Sequence, residues 1–268
     1  MNKKVLVTGA SGQLGKTIKA LFYQTQKEID FVFVSKEQLD ISNEEVLQSF
    51  FNMNTFDYCI NCAAYTNVEQ AEKTPEIAYQ INAEGVKYLA EACKTHEIVL
   101  IHISTDYVFD GEKETPYTTT DIPNPINVYG ESKLLGERHI QRILEKYFII
   151  RTSWLYSKKF GNNFYKTILK KAETETELSI TIENLGCPTN TVTLATYIFN
   201  IINQPSTNFG VLHFCDEKVM TWYDFAKDIL KENQLLNTIN LVKVNNYRTF
   251  ARRPKYSVLL NTHDIEYI

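Results

Sequence analysis

Short apolar runs that alternate with helical patterns restrict the fold of this chain more than any other feature. The runs are rich in Val, Ile and Phe and occupy residues 4–8, 31–34, 58–62, 98–103 and 147–152. Helical patterns occupy residues 13–25, 43–53, 75–95 and 127–146. Strands that are apolar on both faces and separated by helices are typical of a parallel sheet covered by helices. The order therefore predicts an α/β fold with a Rossmann-type doubly wound parallel sheet.

Capping residues mark the start of two of these helices. Ser42, with Glu45 three residues later, has the spacing of a capping box for the second helix. Thr74 is the predicted N-cap of the third helix, because Pro75 then takes the first helical position, where proline is favoured.

The alternation is less regular in the second half of the chain. Helical patterns lie at 162–172, 190–203 and 221–233, strand-like runs at 178–182, 211–214 and 241–244, and loops around 157–163 and 185–190. We predict a nucleotide-binding domain over residues 1–153 and a smaller α/β substrate domain over residues 154–268. The segment 190–210 is the part that can return to the main sheet.

Composition excludes several classes of protein. The chain has 268 residues and a formal net charge of −4, so it offers no basic field for a nucleic acid backbone. No apolar run approaches the ~20 residues of a membrane helix, and the apolar stretch behind the N-terminus is too short for a signal peptide. We expect a cytoplasmic protein, monomer or homodimer, with no nucleic acid or membrane partner.

The cysteines do not indicate a metal site. Cys59 and Cys62 have CxxC spacing, but no second pair with metal-ligand spacing follows. The pair lies in an apolar run, so two small core side chains are the favoured interpretation. An odd total of five cysteines also disfavours a disulfide framework.

Three glycines follow the first predicted strand. Gly9 allows a tight turn, Gly12 lets the backbone approach a pyrophosphate, and Gly15 lets the next helix pack closely on the strand. The pyrophosphate would then accept hydrogen bonds from N–H groups at the positive end of a helix dipole. A glycine trio alone is weak evidence, but a strand before it and a helix after it predict dinucleotide binding.

The residues after the second predicted strand bear on cofactor choice. An acidic residue there would bind the ribose hydroxyls and repel a 2′-phosphate, whereas this chain has Ser35 and Lys36. NADP(H) is therefore favoured, and NAD(H) stays open as a second cofactor, with Lys36 then an ordinary surface lysine. Asp40 and Ile41 are candidates to flank the adenine.

Tyr129 and Lys133 are the candidate catalytic pair. Their spacing of four residues places both on one helix face. A nearby ammonium lowers the pKa of a phenol from its usual value of about 10, which would allow proton exchange with a carbonyl or alcohol oxygen. Two other pairs share the spacing and are interpreted as surface or packing residues: Tyr23 with Lys27, and Tyr223 with Lys227.

A hydroxyl is expected opposite the phenol. Ser104 and Thr105 end the fourth predicted strand, and open α/β sheets bind ligands at the carboxyl ends of their strands. Tyr129 follows at the start of the next helix, so either hydroxyl could face it across a bound nicotinamide. A simple turn is the weaker interpretation.

Together these motifs resemble the short-chain dehydrogenase/reductase superfamily in its extended, sugar-nucleotide-modifying form, and within it the dTDP-4-dehydrorhamnose reductases. The matching stretches are 9–15, 39–41, 61–72, 104–111, 129–133, 151–154, 161–164, 186–189 and 253–257. The resemblance implies NADPH-dependent reduction of the C4 keto group of a nucleotide sugar, dTDP-4-dehydro-L-rhamnose. Residues 183–185 depart from the family pattern, and relatives usually continue further, so the second domain is expected to be C-terminally short.

The resemblance also implies roles for single residues. Tyr129 is the implied general acid, Lys133 its partner that also holds the nicotinamide ribose, and Thr105 the hydroxyl that aligns phenol and sugar oxygen. Implied or candidate cofactor contacts are Gly9, Gly12, Gln13, Leu14, Gly15, Asp40, Ile41, Ala63, Ala64, Tyr65, Thr66 and Ser104. Implied sugar contacts are Thr105, Asp106 and Trp154, with Asn163 a weaker candidate.

A basic cluster in the second half is a candidate site for the nucleotide diphosphate. Arg252, Arg253 and Lys255 lie close together, and an arginine such as Arg253 can bind a phosphate through two parallel hydrogen bonds. A solvated charge run is the alternative. Trp154 offers a flat apolar face to a sugar, with a core aromatic as its alternative.

Two other functions stay open at this stage. Epimerases and other keto-sugar reductases share the scaffold, since a fold does not fix a substrate. A non-catalytic regulatory subunit resembling that of methionine adenosyltransferase is disfavoured, because Tyr129, Lys133 and a hydroxyl are all present.

Overall fold

Parallel strands form the centre of the computed structural model, which describes residues 2–23, 25, 28–204 and 207–262. The described strands are β1 (Lys3–Thr8), β2 (Ile29–Phe33), β3 (Tyr58–Asn61), β4 (Val99–Thr105), β5 (Tyr147–Thr152), β6 (Glu177–Thr181), β7 (Leu185–Gly186), β8 (Gly210–His213), β9 (Met220–Thr221) and β10 (Asn240–Val244). Six form one parallel sheet in the order β2-β1-β3-β4-β5-β8. The strand order reverses between β1 and β3, so the predicted Rossmann-type fold is confirmed.

Helices cover both faces of this sheet. The described α-helices are α1 (Gln13–Phe22), α2 (Glu44–Met53), α3 (Val68–Lys73), α4 (Pro75–Tyr79), α5 (Gly85–Thr95), α6 (Val128–Ile143), α7 (Phe164–Ala172), α8 (Thr191–Asn203) and α9 (Trp222–Glu232). One core joins α1 and α8 to the sheet, and a second joins α2, α5 and α6 to its other face. Among the described residues, no helix has the length and apolar character needed to cross a membrane.

The second half of the chain has a core of its own and also contributes to the main sheet. β6 pairs in parallel with β10, β7 pairs with β9, and α7 and α9 pack on them. α8 lies on α1, where Phe22 and Phe199 stack with ring centroids 4.5 Å apart, and β8 extends the main sheet beside β5. The segment 190–210 therefore lies against the main sheet over its described residues; Pro205 and Ser206 lie outside them.

One of the two predicted helix starts needs correction. α2 begins one residue later than predicted, with Asn43 as N-cap accepting from the N–H of Val46. Ser42 does not cap it, because its hydroxyl donates to Asp40 at 2.7 Å. Thr74 is the N-cap residue of α4 and Pro75 its first helical residue, as predicted, although the Thr74 hydroxyl donates to the carbonyl of Gln70 at 3.0 Å instead of capping the helix.

The third predicted helix is not uniform. Its middle, Gln80–Glu84, is a π-helical turn between α4 and α5. α3, which the sequence pattern did not predict, precedes it and is capped by Asn67. The loop predicted at 185–190 begins with the short strand β7, whose pairing with β9 is too brief to produce a periodic pattern.

A buried ion pair fastens α6 to the sheet. Arg151 of β5 donates to Glu137 of α6 from Nε and from Nη2, the latter at 2.7 Å, and both side chains are at most 4% exposed. The Ser104 hydroxyl of β4 donates to the same carboxylate. Three elements thus meet at one carboxylate beneath the carboxyl ends of β4 and β5.

Glu137→Gln should destabilise the fold strongly, because it leaves the Arg151 guanidinium buried without its counter-charge. We expect a loss of about 3–5 kcal/mol in the free energy of unfolding, measured by denaturant titration. Glu175→Gln is the matched control: its partner Lys171 and Glu175 are both about half exposed, and the expected change is below about 1 kcal/mol. Equal losses in the two variants would contradict the role of the buried pair.

Candidate active site

A cleft of about 460 Å³ lies at the carboxyl ends of the main-sheet strands, within the size range of small-molecule sites. It is lined by Gly12, Gln13, Leu14, Cys62, Ala64, Thr66, Val68, Ile103, Ser104, Thr105, Asp106, Tyr107, Tyr129, Lys133, Thr152, Trp154, Leu155, Gly161, Asn162 and Trp222. Most of the predicted site residues are therefore brought together in one place. Of the two cysteines with CxxC spacing, Cys62 lines the cleft, whereas Cys59 is fully buried in the core.

The glycine loop has the geometry that a pyrophosphate needs. Gly9 has φ +64°, and a Cβ there would lie 2.5 Å from the amide nitrogen of Ala63. A Cβ on Gly15 would lie 2.7 Å from the Cα of Ala10. Gly12 is the N-cap of α1 and offers no side chain, so the N–H groups of Gln13 and the next residues have no partner within the helix. The chain here fits a dinucleotide phosphate group.

In the turn after β2, the acidic residues Glu37 and Asp40 contact the predicted cofactor residues Ser35 and Lys36. Ser35 hydrogen-bonds the carboxylate of Glu37, which lowers the pKa of Glu37. Lys36 is 67% exposed and lies 3.7 Å from the carboxylate of Asp40. Ile41 is in the core, only 3% exposed, so its side chain is not part of an open surface.

The segment after β3 is fixed through its backbone. Asn61 accepts from the N–H of Ala63 at 3.1 Å, and Asn82 accepts from the N–H of Tyr65 at 2.9 Å. Ala64 and Thr66 line the cleft. This segment is thus rigidly placed along one wall of the site.

Tyr129 lies beside Thr105, as the sequence predicts, but its pKa shifts in the opposite direction. Removal from water raises the pKa of Tyr129 to about 12, despite its hydrogen bond with Thr105, which lowers the pKa. The predicted lowering by Lys133 is absent from the structure because the Lys133 amine points elsewhere: it contacts the carbonyl of Ile103 at 2.6 Å and His102 at 3.1 Å. Tyr129 therefore keeps its proton at neutral pH.

Ser104 does not face the phenol. Its hydroxyl donates to Glu137, which leaves Thr105 as the hydroxyl beside Tyr129. Asp106 is 2% exposed, and burial raises its pKa to about 6 although hydroxyls of Thr105, Ser153 and Ser257 donate to it. Its carboxylate is thus held rigidly in the cleft wall.

Trp154 is part of an aromatic stack. It has φ +44° and lies flat on Trp222, with ring centroids 3.5 Å apart and an angle of 4° between the planes. Both indoles line the cleft. A Cβ on Gly186 would lie 2.5 Å from Cε2 of Trp154, so a glycine is needed behind the indole.

Two predicted substrate residues have partners within the protein. The Asn163 side chain caps α7, accepting from the N–H of Lys166, and its amide nitrogen donates to Gln13 at 3.1 Å. It does not line the cleft. Arg253 donates to Glu69 at 2.7 Å and lies further out.

A second hollow of about 970 Å³ continues the cleft outward, sharing the walls formed by Thr66, Val68, Tyr107 and Trp222. Its basic residues are Lys171, Arg248, Arg252, Arg253 and Lys255. The two hollows together form a groove that is aromatic and polar at its inner end. Basic residues outnumber acidic ones at its outer end, where Asp110, Glu112 and Glu183 are the acids.

Comparison with known proteins decides the family. The model of the RmlD substrate binding domain matches residues 3–266. A dTDP-4-dehydrorhamnose reductase from Aggregatibacter actinomycetemcomitans is 37% identical over 96% of this chain and 90% of its own length. A spore coat polysaccharide biosynthesis protein from Bacillus subtilis is 38% identical over 96% of this chain and 88% of its own. The chain belongs to the dTDP-4-dehydrorhamnose reductase family.

Solved structures of this family agree with the fold. A dTDP-4-dehydrorhamnose reductase from Bacillus anthracis, crystallised in complex with NADP, matches with a TM-score of 0.94 at 36% identity. The match covers 100% of this chain and 93% of that one.

Two residues that shape the site are not predicted from the sequence. Trp222 begins α9, and only the fold brings it onto Trp154. Asn82 lies in the π-helical turn and bonds both the Tyr65 backbone and the Ser132 hydroxyl, the latter at 3.0 Å. A buried asparagine inside a helical pattern is the one signal that could have pointed to it.

Gly186→Ala should separate the stacked indoles, because the new methyl group occupies the space of the Trp154 ring. The chain has two tryptophans, so circular dichroism reports on this pair directly. We expect the exciton couplet of the stacked rings in the wild type and its loss in Gly186→Ala. Trp222→Phe, which removes one ring, is the reference for complete loss, and an unchanged couplet in Gly186→Ala would contradict the close contact.

Proposed function

We propose that this chain catalyses the NADPH-dependent reduction of the C4 keto group of dTDP-4-dehydro-L-rhamnose, giving dTDP-L-rhamnose. The observation that carries the proposal is the position of the Tyr129 phenol beside Thr105, between the glycine loop and the stacked indoles. The activity named for relatives at 37% identity supports it.

The glycine loop and the turn after β2 are the parts of the chain proposed to hold the cofactor. Gly12, Gln13 and Leu14 would hold the pyrophosphate at the N-terminus of α1. When bound, NADPH supplies the hydride that reduces C4. Ser35 and Lys36 would meet the 2′-phosphate, and the neighbouring acids Glu37 and Asp40 are the reason to keep NAD(H) as a second cofactor.

The remaining part of the adenosine site and the nicotinamide side use the other predicted residues. Asp40 and the backbone at Ile41 would flank the adenine, while Ala64 and Thr66 would line the nicotinamide side. Lys133 would hold the nicotinamide ribose, as the resemblance implies.

Tyr129 is the proposed general acid. A phenol with a pKa of about 12 carries its proton at neutral pH, which is the form needed to protonate the oxygen on C4. The new C–H bond takes the hydride, the new O–H bond takes the phenol proton, and the tyrosinate regains a proton from solvent. Thr105 stabilises the charge that develops on oxygen.

The groove shape supports a nucleotide-sugar substrate. Trp154 lines the cleft beside Thr105 and Asp106, and the part of its indole that Trp222 leaves uncovered would contact the sugar. The basic outer hollow would receive the diphosphate and nucleoside, with Arg252 and Arg253 as the proposed phosphate contacts.

Three broader predictions stay proposals. The domain limits 1–153 and 154–268 are one of them, and residues 263–268 lie outside the described part. A cytoplasmic location follows from the supply of NADPH and nucleotide sugar that the reaction needs. The assembly is expected to be a monomer or homodimer, with no nucleic acid or membrane partner.

Tyr129→Phe tests the reaction. We expect NADPH oxidation with dTDP-4-dehydrorhamnose to fall by about 10²–10⁴-fold in kcat, because the phenol proton is lost while the ring stays. Tyr223→Phe is the matched control, since Tyr223 and Lys227 have the same spacing in α9, and it should keep full activity. Full activity of Tyr129→Phe would contradict the assignment.

The same assay separates the alternatives. GDP- and UDP-linked keto sugars in place of the dTDP sugar test for another reductase. Sugar interconversion without net NADPH loss would indicate an epimerase, and the absence of any turnover with a co-purifying synthetase would indicate a regulatory subunit.

Arg252→Ala tests the phosphate end of the groove. Loss of one charge-assisted hydrogen bond to phosphate should raise KM for the nucleotide sugar on the order of tenfold with little change in kcat. Lys94→Ala, on the exposed side of α5, is the charge-matched control and should leave KM unchanged. An unchanged KM in Arg252→Ala would remove Arg252 from the site.

A further inference from the structure

A polar chain lies directly beneath the cleft and is shielded from water. It joins Asn61 at the end of β3, His102 in β4 and Lys133 in α6, and each of these side chains is at most 1% exposed. Nothing in the proposed reaction uses His102. The directions of the hydrogen bonds in this chain determine where its protons can be.

The amide of Asn61 has only one possible orientation. Its oxygen accepts from the backbone N–H of Ala63 at 3.1 Å and from the hydroxyl of Thr8 at 2.7 Å. A backbone N–H can only donate, so the oxygen must be on that side. The Asn61 NH₂ group therefore faces Nδ1 of His102, 3.0 Å away.

This orientation fixes the tautomer of His102. Nδ1 has to accept from Asn61, so the single proton of the neutral ring is on Nε2. An imidazolium would place two N–H groups against each other at Nδ1. Burial, and next the charge of Lys133, lower the pKa of His102, so the ring stays neutral.

The fixed tautomer in turn acts on Lys133. Nε2–H points at the Lys133 amine nitrogen, 3.1 Å away, while that nitrogen donates to the Ile103 carbonyl at 2.6 Å. A neutral amine has a lone pair to accept from Nε2–H, whereas an ammonium would face it with another N–H. The position of Lys133 in this structure therefore suits the neutral amine.

The other titratable groups around Lys133 offer its ammonium no free counter-charge. Burial is the main cause that lowers the pKa of Lys133, to about 8, and Glu137 and Cys62 act in the opposite direction. Glu137 is already paired with Arg151, and burial holds Cys62 as a neutral thiol. Tyr129, one turn earlier on α6, is protonated. His102 is thus the neighbour that disfavours a positive charge on Lys133, because its Nε2–H points at the Lys133 nitrogen.

We propose that His102, oriented by Asn61, is a positioning residue that accepts only the neutral amine of Lys133 beneath the cleft and directs the ammonium toward the cofactor. The ribose diol of a nicotinamide cofactor has oxygens that accept from an ammonium. Cofactor binding would then be linked to proton uptake by Lys133 at pH values above the pKa of its amine in the free protein. This second step depends on the proposed function, whereas the tautomer of His102 does not.

Nitrogen-15 NMR of the histidine rings tests the first step without any cofactor. We expect His102 to be neutral with its proton on Nε2 at neutral pH. His213 provides an internal control in the same spectrum, because its Nδ1 faces the Tyr117 carbonyl at 3.0 Å and must carry the proton. A His102→Phe spectrum assigns the signal. A proton on Nδ1 of His102, or an imidazolium, would overturn the proposal.

The pH dependence of NADPH affinity, followed by cofactor fluorescence, tests the second step. An ammonium formed on binding makes affinity constant below the free-state pKa of Lys133 and weaker above it. We expect wild-type affinity to fall on the order of tenfold between pH 7 and pH 9.5. Failure to bind NADPH at every pH would instead count against the proposed function.

Asn61→Asp is the decisive variant, because it keeps the oxygen that accepts from Ala63 and replaces the NH₂ group by an acceptor. His102 should then carry its proton on Nδ1 and accept from the ammonium at Nε2. The expected result is that the pH above which NADPH affinity falls becomes higher, so that affinity at pH 9.5 is less than about threefold weaker than at pH 7. The shift should disappear in Asn61→Asp/His102→Phe. If the shift persists in the double variant, or if a folded Asn61→Asp protein shows no shift, the role of His102 is refuted. If neither variant folds, the tautomer of His102 in the wild type decides.

Discussion

The register of α6 against β4 is the constraint on which the site depends. Tyr129, Lys133 and Glu137 recur every four residues, so one face of the helix carries all three. Glu137 holds that face in place through Arg151 and Ser104. A slip of α6 by one residue would turn this face by about 100° and remove the phenol from Thr105.

Small residues allow this close packing. A Cβ on Gly130 would lie 2.1 Å from the carbonyl oxygen of Tyr107, and one on Gly136 would lie 2.2 Å from that of Asn82. The helix can therefore approach both the strand end and the π-helical turn. Electrostatic and steric constraints act together here. The ion pair favours one register of α6, and the two glycines allow the helix to pack closely enough to adopt it.

The sequence predicts the parts of this structure that are encoded locally. The alternation of strands and helices, the glycine turn and the Tyr129/Lys133 spacing all concern neighbouring residues, and the sheet and cleft appear where expected. The direction of the Tyr129 pKa shift was wrong, because it depends on burial and on where Lys133 points. Trp222 was missed, because stacking on Trp154 depends on two distant segments meeting. Asn43 replaces Ser42 as a cap because Asp40 competes for the serine hydroxyl.

The π-helical turn at Gln80–Glu84 has a consequence for the helix that contains it. One extra residue per turn advances the helix by about 100° relative to a regular spiral. The buried face of α5 is therefore rotated about the helix axis relative to the buried face of α4, and Asn82 lies in the turn where this rotation occurs. Deleting one residue here would restore a regular helix but rotate either the segment before it or the segment after it out of the core. The irregular turn thus lets the two parts of one continuous helix pack against surfaces that face different directions.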